Sequence, residues 1–483
     1  MSISSAISTA QQIFNNTGTQ TAVTSTNIAN TQNANYAKRT AVLVSNGSGA
    51  LVATTTREQN EPLLRQTIAS TSLASGQSTL ATGLEEIRSL LGGNDYETSM
   101  STKMTTLLNN LGAYAAKPSE STLAATVVSS AQDVVNTLNT TSTELQAIRA
   151  RTDAEIKTQV DDLNKLLAQF ETANTAIMQA AAIGKQDNDA LDTRDTLVKQ
   201  ISEIVGVSST VRAGNDMALY TSDGTTLFET IPRAVGFTAT KTYTAATTGY
   251  AVTIDGVAVK AGVGGDTSAS GSLQALLQIR DEVAPTYQSQ LDEIARGLIV
   301  AFAETGPNDD QPAMAGLFTN GVDSTVDDTG LAQVGLAAAI SVNTEVKDKP
   351  TLLRDGGING TAYEWNQTSA SGYSTLIDHY SQTMQAKRTF DETTGVGGTD
   401  IDLMSYASDS TGWLEALRSS STTATETKSA MQSRAAEALS SETGVSLDEE
   451  LSLLLDIEQS YKAATKLVST IDEMMEALLT AAG

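Results

Sequence analysis

Cysteine is absent from this 483-residue chain, and histidine occurs once, at His379. These gaps remove thiol nucleophiles, disulfide staples, Cys/His zinc sites and any triad built on two histidines. Aromatic residues are scarce at 4%, with only two tryptophans, Trp365 and Trp413. A deep ligand pocket, which is usually lined with such side chains, is therefore not expected. Bases are few as well: 30 Lys and Arg stand against 56 Asp and Glu, a formal charge of −26. A field of that sign repels phosphate backbones and anionic lipid, so neither nucleic acid nor membrane is expected as a partner. No run approaches the roughly 20 apolar residues of a membrane span. The N-terminus has no basic stretch, apolar core and small-residue cleavage site of a secretory signal, so export would need a dedicated route. No metal or cofactor is expected.

What is present is 40% apolar residues in a background of Ser, Thr, Asn, Gln and Ala, which suits long helices packed through small-residue seams. The length calls for about three folded regions. The two ends are electrostatic opposites. Residues 1–57 hold no acid and only Lys38, Arg39 and Arg57 as bases, whereas Leu447 to Gly483 holds eight acids against Lys462 and Lys466. At the first end, Ile3, Ile7, Ala10, Phe14, Thr17, Thr21, Thr24 and Ile28 alternate spacings of four and three. At the other, Leu454, Ile457, Tyr461, Ala464, Val468, Ile471, Met475 and Leu478 do the same. Both are heptad seams that want a helical partner. Each could pack on its own domain core; pairing them with each other and with neighbouring subunits uses both seams and the charge contrast together. The N-terminal helix is rich in weak helix formers, so its order is expected to depend on docking.

Between the ends, Leu64, Ile68, Leu73, Leu80, Leu84, Ile87 and Leu91 predict a helix stopped by Gly92-Gly93. Pro118 precedes a second helical pattern through Leu123, Val127, Val134, Leu138, Leu145 and Ile148 that runs to about Gly184, about 65 residues if unbroken. After Val207 the chain changes to short β-rich runs, with Asp223-Gly224 and Asp255-Gly256 as hairpin turns. Ser272 to Glu304 reads as a helix mildly interrupted at Pro285, and another spans about Ser410 to Leu439. The fold class is thus multidomain and mainly α: terminal helices in a coiled coil, an elongated helical bundle, and an inserted, mostly antiparallel β domain. The expected division is 1–60 plus 447–483 for the coiled coil, and 61–205, 272–305 and 405–446 for the bundle. Residues 206–271 form the β insert, and 306–404 an irregular segment.

Several residue groups invite a chemical reading. Arg194-Asp195 reads as a surface or helix-end ion pair. Asp448-Glu449-Glu450 follows Ser446 at a helix start, where the dipole favours acids. Asp187-Asn188-Asp189 and Asn308-Asp309-Asp310 lack the glycine and distal glutamate of a calcium loop and read as turns. His379 reads as solvated. A secreted carboxylate glycosidase needs only two acids about 5 to 9 Å apart, which an acid-rich chain does not exclude; the dearth of tryptophan speaks against it.

The motif Asn27-Ile28-Ala29-Asn30 with Tyr36 and Arg39 resembles the asparagine-rich turn after the first helix of flagellar axial proteins. Leu191 to Val198 with Ile201-Ser202 and Val205-Gly206-Val207, Gly271-Ser272-Leu273 with Arg280-Asp281, Ile340 to Asn343 with Pro350, and Ser441 to Glu450 follow in the order seen in the flagellar hook-associated protein 1 family. That resemblance implies a non-enzymatic structural subunit of the bacterial flagellum at the hook–filament junction. It implies export unfolded through the flagellar type III apparatus to the cell exterior. The implied partners are further copies of the chain, the hook protein, a second junction protein of the hook-associated protein 3 type, and a cytoplasmic export chaperone on the C-terminal helix. The two seams are then the subunit interface, the C-terminal one shared with the chaperone. The alternative within the same machinery is a hook or flagellin-like subunit, although the Ser-Ser-Gly and Asp-Asp-Ala-Ala-Gly-Leu segments of flagellin are missing.

Overall fold

A computed structural model describes residues 3–45, 51–308, 311–321, 326 and 330–482. Its chain divides into two compact units. The first comprises Met1–Ser72, Leu163–Ala234 and Lys428–Gly483, and the second Leu73–Asp162 and Val235–Thr427. The fold is mainly helical with small antiparallel sheets, as the patterning implies.

The first unit opens with α1 (Ile3–Ala29) and a hairpin of β1 (Arg39–Ser45) and β2 (Leu51–Arg57). The hairpin has no counterpart in the sequence reading, although Ala41 to Val44 and Leu51 to Thr56 are β-rich runs on either side of Asn46-Gly47, a hairpin signal. Helix α2 (Glu61–Arg88) follows. Next in chain order come α3 (Met100–Ala116), started by the Ser99 side chain accepting the Thr102 N–H at 3.3 Å, and α4 (Ser121–Ala182). At 62 residues α4 matches the expected long helix, about 93 Å at 1.5 Å per residue. Val127, Val134, Leu138, Leu145 and Ile148 on it are all buried.

In the first unit, α5 (Asn188–Ile204) is capped by Asp187, whose carboxylate accepts the Ala190 N–H at 3.0 Å. It leads into β3 (Val207–Val211), β4 (Met217–Thr221) and β5 (Thr226–Phe228), an antiparallel sheet in the order β3-β4-β5. Phe228 meets Phe170 edge-on at 4.9 Å, tying this sheet to α4.

The second unit holds the other three-stranded sheet, β6 (Val235–Gly236), β7 (Thr253–Ile254) and β8 (Val257–Ala258). Its core is built on α6 (Ser272–Gln278) and α7 (Ala284–Ala301), almost wholly buried. The break expected at Pro285 is a π turn over Ile279–Val283 just ahead of it. Proline lacks the N–H that would continue the ladder, and the carbonyl of Arg280 instead accepts the Arg149 Nε–H at 3.0 Å. Arg280 itself pairs with Asp153 at 2.7 Å, both fully enclosed. Asp153 also accepts the Tyr243 hydroxyl, whose pKa is pushed up to about 12, chiefly by burial.

Between α7 and residue 403 the described residues form only short elements. They are β9 (Phe318–Thr319), α8 (Leu336–Ala339), β10 (Ser341–Val342), α9 (Thr344–Asp348), α10 (Leu352–Asp355) and α11 (Thr375–Gln385). His379 on α11 is not freely solvated: it is half-buried, its ring tilted against Trp365 at 5.1 Å. Asp309 and Asp310 of the second acidic motif lie outside the described residues. Two long helices finish the chain, α12 (Leu403–Thr443) and α13 (Leu447–Ala482). Gly444 lets the chain turn between them, since a Cβ there would run into the Ser440 carbonyl.

Candidate assembly interface

Helices α1 and α13 pack against each other within the first unit. Their register is marked by Phe14, which meets Tyr461 edge-on with ring centroids 5.1 Å apart. Nearer the other end, Lys38 bonds Glu449 at 2.7 Å and the Lys38 N–H reaches the Thr443 carbonyl. Later residues of the N-terminal segment thus meet earlier residues of the last helix, so the pair runs antiparallel.

Burial along the pair follows a heptad. On α1 the enclosed positions are Ala10, Thr17 and Thr24, joined by Asn27 at the helix end; on α13 they are Glu450, Ile457, Ala464 and Ile471. Ala10 and Ala464 are each 1% exposed, and two such small residues let helix backbones approach closely. The remaining seam positions are open to differing degrees. Phe14, Ile28 and Leu454 are half-buried, while Ile7, Thr21, Tyr461, Val468, Met475 and Leu478 are exposed. The Ile3 side chain lies outside the described residues. The two sequence seams therefore meet along one enclosed line, with Phe14 and Tyr461 touching at its edge, while the rest of the second line of each stays open or half-open.

On α13 the outward apolar surface is wider than the seam. Leu451, Leu453, Leu455, Leu467, Met474 and Leu479 are exposed too, Leu479 to 71%. Fully burying one such side chain contributes roughly 1.5–3 kcal/mol, so this helix carries far more unburied apolar surface than a solvated helix needs. Helix α1 has the opposite character, without a single charged residue in its 27 positions.

At the base of the pair a polar cluster fixes the turn after α1. Asn27, 1% exposed, donates its Nδ2–H to the Arg39 carbonyl at 2.8 Å. Its Oδ1 accepts the Tyr36 hydroxyl at 2.7 Å and the Arg39 N–H at 3.1 Å. One asparagine thus closes the loop from α1 into the hairpin. The hairpin register puts Arg39 directly opposite Arg57, like charges that repel across a ladder. The face of α5 resolves this. Asp189, Asp192 and Asp195 recur every three residues and so line one side of that helix. Arg39 Nη2 reaches Asp189 at 2.5 Å and Asp192 at 3.2 Å; Arg57 reaches Asp192 and Asp195, each at 2.7 Å.

All three bases of the acid-free segment, Lys38, Arg39 and Arg57, are thereby held by acids from distant parts of the chain. Lys38 keeps its proton more tightly than usual, first because of its hydrogen bond to Glu449, and Glu449 is held below the ordinary carboxylate range by the same bond. The signal was present in the sequence as three aspartates at a spacing of three opposite three isolated bases.

Arg194 is a correction. It lies 4% exposed, with no carboxylate bonded to it among the described residues; its Nη1 donates to Asn174 Oδ1 at 3.0 Å and to the Asn215 carbonyl at 2.5 Å. Burial lowers its pKa. The guanidinium acts as an internal clamp from α5 to α4 and the β3–β4 loop, not as a surface ion pair, whereas its neighbour Asp195 does pair, with Arg57. Beside these elements lies an open cleft of about 970 Å³ lined by the 31–38 turn, α2, α5 and the end of α12, including Tyr36, Leu64, Lys199, Glu203 and Leu439. Among the described residues no cluster of His, Cys, Asp or Glu could hold a metal ion, and no helix is long and apolar enough to cross a membrane.

Comparisons with known proteins bear on both halves of the chain. Residues 84–307 match the family model described as "Flagellar hook-associated protein FlgK helical domain", and residues 438–481 that described as "Flagellar basal body rod FlgEFG protein C-terminal". Flagellar hook-associated protein 1 of Bacillus subtilis is 24% identical over 84% of this chain and 80% of its own length. The Salmonella typhimurium protein of the same name is 25% identical over 58% of this chain, which spans about half, 52%, of that relative. The solved flagellar hook junction protein FlgK from Burkholderia pseudomallei aligns with 53% of this chain and 46% of its own, at 20% identity and a TM-score of 0.43.

Proposed function

Because the chain belongs to the flagellar hook-associated protein 1 family, we propose that it is a non-catalytic structural subunit of the junction between flagellar hook and filament. Copies form a ring about the axis, stacked between the hook protein and a second junction protein of the hook-associated protein 3 type. The chain travels unfolded through the flagellar type III apparatus to the cell exterior, and a cytoplasmic chaperone covers α13 until then. The two seams, Ile3 to Ile28 on α1 and Leu454 to Leu478 on α13, are the subunit contacts, the second also the chaperone's.

One observation carries this reading: α1 encloses a single line of α13, through Ile457, Ala464 and Ile471, touches Tyr461 only through Phe14, and leaves Val468, Met475 and Leu478 open. An apolar helix face of that extent calls for further helices. The polar, uncharged α1 is well suited to ordering only when α13 is beside it. A plain hook or rod subunit is the second reading, supported by the rod-type match over residues 438–481; the helical-domain match over 84–307 favours the junction.

The test is a chain ending after Leu447, expressed in flagellate cells lacking the full-length protein. Loss of chaperone capture and of assembly at the hook tip is expected. Normal assembly without α13 would overturn the proposal.

A further inference from the structure

The base of the β1–β2 hairpin, held on α5 through Arg39 and Arg57, divides two features of the first unit. On one side is the open cleft of about 970 Å³. Leu64 and Leu439 give it apolar wall, and its rim carries the exposed acids Glu58, Glu203 and Glu442. Lys199 reaches into it half-buried and makes no ion pair among the described residues. Burial lowers the pKa of this lysine despite Asp195 nearby, so its charge gains from a further partner. On the other side lies the turn that ends α4, with residues 180 and 185–189 against Thr19, Thr26 and Thr55. Gly184 there takes φ +69°, and the Lys185 N–H bonds the Ala180 carbonyl at 2.9 Å, a left-handed helix stop. That stop needs the glycine. It does not need the neighbours, Ile183, which is 70% exposed, and Lys185, which is exposed and makes no ion pair among the described residues.

We propose that the turn Ile183-Gly184-Lys185 of one copy seats in this cleft of the next. The proposal rests on the ring reading above, which sets copies side by side. The turn cannot enter the cleft of its own unit, because the hairpin base stands between them; a second copy supplies it. Seated there, Ile183 packs on Leu64 and Leu439, and Lys185 meets the acidic rim. Lys199 meets the last carbonyls of α4, a helix end of partial negative charge with no base in its own last turn. Small-molecule sites of about 300–1,000 Å³ enclose drug-sized ligands, so this cleft has room for a turn of chain. Turn and cleft are different patches on either side of one hairpin. Their contact is therefore head to tail, and rotation about one axis closes it into a ring with no slide along that axis. It draws on neither α1 nor the exposed apolar face of α13.

The chain has no cysteine, so introduced thiols report alone. Full-length protein carrying Gln186→Cys and Ser433→Cys, one beside the turn and one on the cleft wall, is treated in assembled flagella with a short bismaleimide. A ladder of covalent multimers is expected, and none from either single variant. Multimers from Gln186→Cys alone would mean turn against turn and would overturn the proposal, as would their absence from the pair in flagella that contain the protein. A Ser433→Cys thiol as reactive in flagella as in the free chain means an empty cleft. One blocked there while Gln186→Cys stays reactive means another occupant; both results overturn the proposal. Independently, Ile183→Gln with Lys185→Glu is expected to lower incorporation several-fold per chain exported. Unfolding of the free chain should be unchanged, since both positions are exposed. Undiminished incorporation refutes the contact. Adding Glu203→Lys and Glu442→Lys is expected to recover part of the loss, and no recovery refutes the charge match. Wild-type protein absent from the hook–filament junction removes the reading on which this contact rests; wild-type protein at the junction without the 186–433 link removes only the contact.

Discussion

Replacing Asn27 with alanine tests the polar cluster at its centre. The side chain makes three hydrogen bonds, to the Arg39 carbonyl, the Tyr36 hydroxyl and the Arg39 N–H, at 2.8, 2.7 and 3.1 Å, and is 1% exposed. At about 1 kcal/mol net for each such bond, Asn27→Ala should cost about 3 kcal/mol locally, because the partners left behind are shielded from water. With two compact units in one chain, a global melting curve is not a single transition. The better probe is hydrogen exchange at the Arg39 amide, which donates straight to Asn27. About 3 kcal/mol corresponds to roughly a hundredfold loss of protection, while Tyr36→Phe, which removes one bond of the three, should cost roughly fivefold. An Arg39 amide in Asn27→Ala that exchanges within about threefold of wild type would refute the claim that one side chain closes this loop.

Arg57→Met should destabilise the first unit by about 3 kcal/mol, since Arg57 is 6% exposed and the change strands Asp195 and leaves Asp192 to Arg39 alone; Asp195→Asn added to it should recover part of the loss in the urea midpoint. Gly83→Ala should cost about 1–3 kcal/mol, because a Cβ there overlaps the Ile279 side chain, and Ile279→Val in the same chain should offset it in thermal unfolding. For Glu449, held low by Lys38, the tether contributes above the ordinary glutamate pKa and is lost as pH falls through the lowered value. An NMR titration of Glu449 with a midpoint at or above that of free glutamate would contradict this. Replacing Met474, Leu478 and Leu479 together with Gln should leave the isolated chain's stability nearly unchanged, as all three are exposed, and should abolish incorporation into flagella. A loss of solution stability instead would show that these side chains already have a partner within the chain.

Much of the helical framework could be read from spacing alone. The apolar repeat through Val127, Val134, Leu138, Leu145 and Ile148 announces α4, and the paired heptads announce α1 and α13, because a 3.6-residue period survives whatever the helix packs against. What spacing does not carry is the identity of the neighbour. Arg194 sits in an ordinary Asp-Thr-Arg-Asp string, and only the fold brings Asn174 and the Asn215 carbonyl to it. The β1–β2 hairpin is hidden in the sequence because its acid-free, Thr-rich runs continue the composition of α1. That the strands after Val207 fall into two sheets in different units is likewise invisible to a period-2 count. Within the interface, sequence shows eight candidate positions on each helix, but which line of them faces inward depends on rotation about the helix axis, and only the fold encloses Ala10, Thr17 and Thr24 with Ile457, Ala464 and Ile471.

The first unit is assembled from three stretches far apart in the chain, with α1 in the first and α13 in the last. During synthesis, α1 and the hairpin therefore emerge with none of their long-range partners yet made: the aspartates of α5 are still to come, and Glu449 and Ile457 come later still. Any process that meets this chain end-first, whether a ribosome releasing it or a narrow conduit passing it, handles a leading segment that has nothing to fold onto. Completion of this unit thus waits on the last of its three stretches.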